Sequence, residues 1–486
     1  MTESVARRGG KIGGPEQLIQ LLGAAGLKER IFFTLAMIAL YRIGVHIPIA
    51  GVDPSAFGKH PELAQNLLGM IDLFTGGALN KLSIFSMGIG PYITASIIMQ
   101  LMSVVIPKLE ELQKNSGEQG RKQLQQYTRF ATVGLAAFQS AMLANLLTKV
   151  QNPPMVLHPG LPFIINTTIV LTACAVFIMW MGEIITERGV GNGASLLIFL
   201  GIAARLPVMI NNTYQAVETQ QTPMWGVAAL VGVFLLLVAL IVCLQQGVRK
   251  VTVLGARRNL GRQVFSAPDD YMYLPVNPSG VMAIIFASSL LMFPSTIMSF
   301  VAKSGKPPDQ LINELLHGIP GFGPQFDAFT AQPWVHNAWG VISTEFSNMF
   351  SYYKWEHSLV YFILILFFAF FYASIVLPVR DMAENLRRSG KAIQGIRPGR
   401  PTSEWLEKTL NRLIVIGATA VAIIAIVPIH AEQLFMVTTL QGLGSTSLII
   451  LVGVAIDTQR QILTHALSAR YQARGLFRSA GEKGAL

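Results

Sequence analysis

Charge is scarce in this chain. Asp, Glu, Lys and Arg together make up 13% of its 486 residues, about half their share in ordinary soluble domains. A soluble protein of this length needs a large charged surface, and these residues cannot build one. Cysteine is nearly absent. Cys174 and Cys243 each lie inside an apolar run, which excludes a disulfide framework and a cysteine metal site. A phosphate-binding loop is missing too: Gly117-Glu118-Gln119-Gly120-Arg121-Lys122 is followed by glutamine, not Ser or Thr. The eight histidines are scattered with no H-E-x-x-H pair. Glu183 and Glu187 stand one helical turn apart with Arg188 adjacent, an arrangement that fits helix-end electrostatics better than acid–base work. No enzyme, cofactor or metal is expected. What the chain has instead is apolar sequence, 52% of all residues, which also excludes disorder.

A helix needs about 20 apolar residues to cross ~30 Å of hydrocarbon. Ten runs qualify, at about Ile31–Ile49, Ser83–Ile106, Tyr127–Thr148, Phe163–Ile185, Asn192–Ile210, Met224–Leu244, Ser279–Val301, Ser358–Pro378, Leu410–Ile429 and Val437–Asp457. The fifth is short and starts in Gly191-Asn192-Gly193. The first 30 residues are polar and lack the apolar core of a cleavable signal. The chain therefore reads as an all-α polytopic membrane protein.

Ten spans place both termini on one side, and the basic residues say which. Of 37 Lys and Arg, 29 fall on the arm, alternate loops and tail of one face, seven on the other, and Arg42 within a span. Positive loops stay cytoplasmic, so both ends are expected there. The formal charge of +11 is mostly topology information. It is no footprint of sequence-specific nucleic-acid binding.

Five spans per half is an odd number, so a duplicated chain would have inverted halves. Sliding the sequence by 192 positions lays Gly88-Ile89-Gly90-Pro91-Tyr92-Ile93-Thr94-Ala95-Ser96 on Gly280-Val281-Met282-Ala283-Ile284-Ile285-Phe286-Ala287-Ser288, with four identities in nine. Ion-coupled carriers also use inverted repeats, but they carry ionisable groups at mid-bilayer. Here the spans hold no acidic residue at mid-depth, and Arg42 lies near an end where it can snorkel. Energy for any transport must come from a partner.

Ile89 and Ile93 are spaced i,i+4 and share a helix face; Val281 and Ile285 repeat the spacing. Such residues also serve as plain packing. The sequence before them is unusual: Leu67–Lys81 is too short and polar to span, and Gly88, Gly90 and Pro91 break the helix start. That pattern predicts a re-entrant piece, tolerated only inside protein or a water-filled cavity.

At these residues the chain resembles the SecY family. The resemblance runs over nearly the whole length. It is carried by Tyr41-Arg42-Ile43-Gly44, Ile47-Pro48 and Gly51-Val52-Asp53; Ser83-Ile84-Phe85 through Pro91-Tyr92-Ile93; and Gln126-Tyr127-Thr128-Arg129. Further on it rests on Gly182-Glu183, Ile185-Thr186-Glu187-Arg188-Gly189 and Gly191-Asn192-Gly193; Leu274-Pro275 with Asn277; Ile285-Phe286-Ala287-Ser288-Ser289; and Gly395-Ile396-Arg397-Pro398-Gly399. The resemblance implies two inverted pseudo-symmetric five-helix halves, 31–210 and 224–457, closing like a clamshell about an external connection at 211–223. A 30-residue cytoplasmic arm would precede them and a tail at 458–486 follow. It implies a protein-conducting channel in a bacterial-type inner membrane, passing unfolded polypeptides across and releasing hydrophobic segments sideways into lipid.

By position, the family's pore ring falls on Ile89, Ile93, Ala194, Ile198, Ile285 and Ile450, with Ala194 smaller than the usual aliphatic. A plug falls at about 66–75, with Leu67, Leu68, Met70, Ile71, Leu73 and Phe74 as its apolar residues. A lateral gate is implied between spans two/three and seven/eight. The basic loops 245–278 and 379–409, with Arg249, Lys250, Arg257, Arg258, Arg262 and Arg397, would receive a SecA motor ATPase or a ribosome. SecE-like and SecG-like small subunits, signal peptides and nascent chains are the other implied partners. The long external stretch 302–357, with Trp334, Trp339 and Trp355, has no counterpart in that pattern and reads as an interface-lying lid or a partner contact.

Overall fold

The computed structural model describes residues 27–53, 72, 75–114, 117–149, 155–220, 222–254, 258–260, 263–265, 270–291, 354–435, 437 and 446–473. Helices dominate. In chain order they are α1 (Leu27–Gly44), α2 (Gly90–Val105), α3 (Pro107–Lys114), α4 (Gly117–Lys149), α5 (Leu161–Arg188), α6 (Gly193–Glu218) and α7 (Met224–Gln246). After the loop strands come α8 (Met282–Leu291), α9 (Trp355–Val376), α10 (Val379–Arg388), α11 (Arg400–Leu434) and α12 (Leu448–Ala473). Among the described residues α4, α5, α6, α7, α9 and α11 contain stretches long and apolar enough to cross a membrane, and α2 and α8 are shorter apolar helices.

Each expected span has a helix, but helix ends and lipid ends differ. Hydropathy marks where hydrocarbon stops, whereas backbone hydrogen bonding carries a helix on into water. So α4 begins ten residues before Tyr127, α6 continues past Ile210 to Glu218, and α11 begins at Arg400. The connection expected at 211–223 is therefore helical over its first eight residues. The tenth span is shifted: Val437 is not helical, and α12 runs from Leu448 through Asp457 to Ala473. The second span starts at Gly90 rather than Ser83. Pro91 lacks an N–H and fits only in a first turn. Residues 83–89 instead bond sideways, with Ile84 N–H donating to the Ile47 carbonyl at 2.9 Å and Pro48 bridging Ser83.

The duplication is written in the backbone. Gly88 and Gly280, 192 positions apart, both take the left-handed conformation, with φ of +55° and +57°. Each donates its N–H three residues back, to Phe85 and Asn277. Two residues later α2 and α8 begin, and the first-turn bonds Ile93→Ile89 and Ile285→Val281 are both 3.2 Å. Four identities in nine thus mark one turn-and-helix unit used twice.

Outside the bundle lies a small sheet that the sequence reading did not anticipate. β1 (Val248–Leu254) pairs antiparallel with β4 (Asp270–Pro275) on one side and β5 (Ala392–Ile393) on the other; β2 (Arg258–Leu260) and β3 (Gln263–Phe265) form a separate hairpin. The sheet joins the two basic loops into one body. Lys391 closes it with an ion pair to Asp270, which holds that carboxyl below the usual carboxylate range. Both partners are well exposed, so the pair adds little stability.

Lipid tails are as apolar as leucine, so close packing holds the helices together, and glycines mark the closest crossings. A β-carbon on Gly193 would fall inside the Gly182 carbonyl oxygen, one on Gly453 inside the Val281 side chain, and one on Gly417 inside the Val276 carbonyl oxygen. α12 packs against α1 and α6 as well as α7. It ties the two halves together, with the Gly191 N–H donating to Gln461 at 2.9 Å and Arg460 to the Gln245 carbonyl at 2.7 Å.

Candidate conducting pore

The five isoleucines expected in the ring come together. Ile89 leads into α2, which carries Ile93; Ile198 lies on α6, Ile285 on α8 and Ile450 on α12. All five are buried in one apolar cluster, at 5%, 8%, 1%, 3% and 0% exposure. Ile93, Ala194, Ile198 and Ile285 also line a cavity of about 790 Å³. Ala194 packs against the same cluster. Ile89 and Ala194 both lie against Gly182. A β-carbon on Gly182 of α5 would lie 3.3 Å from Ile89 Cδ1 and 3.6 Å from the Ala194 nitrogen.

Local chemistry explains why α6 presents Ala194 and Ile198 here. Asn192 caps the helix by accepting the Ser195 N–H at 3.3 Å, and Gly193 donates to Thr186 Oγ1 at 2.8 Å. Gly191 makes the preceding turn with φ +91°. The Gly-Asn-Gly sequence is thus a tight hinge of α5 onto α6, with room for no side chain at Gly193.

The cavity wall is polar away from the ring. Glu183 pairs with Arg129 at 2.8 Å and accepts a hydrogen bond from Gln125 at 3.0 Å; Tyr92, Ser96 and Thr186 also line it. Glu183 therefore has a definite place on the funnel wall, beyond the helix-end role read from its spacing. The arrangement sets a cavity with a partly polar wall beside buried apolar side chains. Among the described residues no group of three His, Cys, Asp or Glu could hold a metal.

Other expected sites divide. Arg249 and Lys250 are exposed on β1, with Lys250 over the Tyr273 ring at 5.9 Å; Arg397 is exposed in the turn before α11; and Arg258 lies in β2. Arg257 and Arg262 lie outside the described residues, as do Leu67, Leu68, Met70, Ile71, Leu73 and Phe74, and positions 302–353 of the long external stretch. Arg42 has a hydrogen-bond partner within the protein. It donates to the Gly76 carbonyl at 3.3 Å, because a nearby backbone acceptor satisfies the guanidinium inside the protein. Sequence reasoning missed Asp72 and Arg205, which form an ion pair. Two signals were available: a lone acid in the half-apolar segment 67–81, and Arg205, counted with the external face, at the far end of the fifth apolar run.

Comparison with known proteins gives one consistent result. The SecY family model matches residues 83–459. The protein translocase subunit SecY of Synechococcus elongatus is 38% identical over 472 residues, covering 96% of this chain and 99% of that one. The Corynebacterium glutamicum subunit is 39% identical, covering 94% and 98%. Among solved structures, a protein-conducting channel aligns with a TM-score of 0.60 at 15% identity, over 94% of this chain and 95% of the other. A SecY channel whose plug domain stabilises its closed state aligns equally well, at 0.60 and 16% over the same shares. Sec61 from the canine ribosome-channel complex aligns at 0.55 and 15%, again over those shares. These folds are ten-helix clamshells, and this one is built the same way. The chain belongs to the SecY family.

Proposed function

We infer that this protein is the central pore-forming subunit of a protein-conducting channel, passing unfolded polypeptides across the membrane and releasing hydrophobic segments into lipid. The observation that supports this reading is the burial of Ile89, Ile93, Ile198, Ile285 and Ile450 in one apolar cluster beside a cavity with polar residues on its wall, which we read as an uncharged waist beneath a vestibule. Branched aliphatics bind no ion and gate by dewetting. They also deform around any passing side chain, where a charged ring would retain some sequences and stall. Reconstitution tests it directly: vesicles carrying this chain with its small subunits and a motor should protect an added secretory precursor from external protease. An ion-coupled carrier, the other class with inverted repeats, would instead accumulate a small solute under a proton or sodium gradient.

Sideways release follows from partition energies. Leucine-type residues favour insertion by about 0.3 to 0.6 kcal/mol each, and a charge at mid-helix opposes it by about 2.5 to 3.5. Some 20 residues of signal or anchor sum these terms at a seam between α2/α4 and α8/α9, which we place as the lateral gate. The segment at 66–75 is then the plug, entering from the external side with both termini in the cytoplasm.

The sheet-bearing face is the docking face. Arg249, Lys250 and Arg397 are exposed on one body built from both basic loops, which supports a ribosome or SecA-like motor as partner; SecE-like and SecG-like subunits would brace the lipid-facing helices. Arg397→Glu should cut motor- or ribosome-dependent translocation about tenfold or more, since reversing a charge at a docking site costs several kcal/mol. Membrane topology, read by cysteine labelling of the loops, should stay unchanged. Undiminished transport would leave Arg397 with a topology role alone.

A further inference from the structure

The segment leading into α2 is fastened at a point the pore account has not used. Asp72 is fully buried, with its Oδ2 2.6 Å from Arg205 Nη1 on α6. Its Oδ1 accepts the Asn80 N–H at 2.9 Å. Its main-chain carbonyl accepts from the Thr75 hydroxyl and the Gly77 N–H, both at 3.1 Å. From α1, Tyr41 donates to the Thr75 carbonyl at 3.1 Å, beside the Arg42 bond to Gly76. Gly76, with φ +73°, lies so close to α6 that a β-carbon there would be 2.9 Å from Gly201 Cα.

A carboxylate removed from water is costly unless paired and hydrogen-bonded, and Asp72 has both forms of compensation. The pair has a definite relation to the ring. Arg205 follows Ile198 by seven residues, two turns or about 10 Å farther along the same face of α6. The other end of the segment abuts the start of α2: a β-carbon on Gly88 would lie 2.8 Å from Thr75 Cγ2, and Ile89 is the next residue. Residues 72–88 thus connect a charge on α6 to the two isoleucines that α2 contributes to the waist. Apolar packing alone could slide. A buried ion pair with fixed partners cannot.

We propose that Asp72 and Arg205 are positioning residues for the resting seal: their ion pair fixes the stem before α2 and so holds Ile89 and Ile93 against Ile198. The proposal rests on the channel reading above. It makes seal tightness depend on one electrostatic contact as well as on the apolar ring.

The test uses the full chain with its partner subunits in planar bilayers. Asp72→Asn and Arg205→Gln should each raise resting ion conductance about tenfold or more, as a loosened apolar constriction wets. Arg205→Lys keeps the charge and should stay tight, and the exchange Asp72→Arg with Arg205→Asp should recover most of the seal. Thermal unfolding of each variant separates a leak from general damage. Single variants as tight as the unsubstituted protein overturn the proposal. So does an exchange variant that is folded yet as leaky as the singles, or an Arg205→Lys protein that leaks as Arg205→Gln does. Precursor transport by the unsubstituted protein, measured in parallel, keeps the two claims apart: its failure strikes the channel reading, whereas a leak pattern independent of the pair strikes only this inference.

Discussion

Serine at Ile89, Ile93, Ile285 and Ile450 together should turn a sealed channel into a leaking one, with resting conductance up by about two orders of magnitude. Each of these side chains is buried in the same cluster, and in the channel reading their methyl groups are what exclude water at the waist. Serine removes the branched carbons and adds a hydroxyl that welcomes water. A chain of waters then crosses where dewetting had interrupted it. Isoleucine-to-leucine changes at the same four positions conserve volume, which cores tolerate at a cost usually below about 1.5 kcal/mol each, and should keep the seal. Planar-bilayer conductance without substrate is the measurement. A tight membrane after all four serine changes contradicts the ring assignment.

Gly193→Ala should be among the most damaging single-carbon changes in the chain. The added carbon meets the Gly182 carbonyl oxygen and lies 2.9 Å from Ile185 Cβ. Backbone cannot rotate away as a side-chain tip can, so α6 must move off α5. Overpacking of this kind costs about 3 kcal/mol or more when relief requires a backbone shift. The damage also reaches the pore, because Ala194 and Ile198 follow within two turns and the Gly193 bond to Thr186 stretches. Thermal unfolding in detergent should show a lower midpoint and a lower yield. Gly134→Ala on α4 is the control: a β-carbon there meets nothing within 4 Å, and alanine is the better helix former by about 1 kcal/mol. Equal stability of the two variants would sink the argument that the α5–α6 hinge excludes a side chain.

The turn-and-helix units at α2 and α8 could be read from residues alone, and the reason is local. The Ile89 and Ile93 pair, the Gly88-to-Pro91 interruption and the 192-residue echo are all encoded within a turn or two of backbone. Left-handed glycines at 88 and 280 and the helix starts two residues later followed directly. The other expected ring positions, Ala194, Ile198 and Ile450, follow only from the family resemblance, since nothing in their own spacing distinguishes a pore face from a packing face. What escaped was set by contacts distant in sequence. Asp72 and Arg205 are 133 positions apart, and hydropathy registers each only as an interruption. The Arg42 contact is of the same kind, its acceptor being the Gly76 carbonyl brought in by the fold. The three-stranded sheet joins 248–254 and 270–275 to 392–393, and a two-residue strand leaves no periodicity to detect.

These pieces make one physical account. A shortage of charge puts the chain in lipid, and glycine contacts let its helices close tightly. The same tightness buries aliphatic residues of four helices in one apolar cluster, which we propose is the waist. We propose that energy and direction come from a partner docked on the basic face.

The most direct test is a photo-reactive side chain placed at Ile93 or Ile285 while a secretory chain is stalled in transit. The account predicts a covalent adduct between the stalled polypeptide and either position, lost when the chain is released. Efficient transport with no adduct at either site, while positions on the lipid-facing surface do react, would contradict a central polypeptide path through the isoleucine waist.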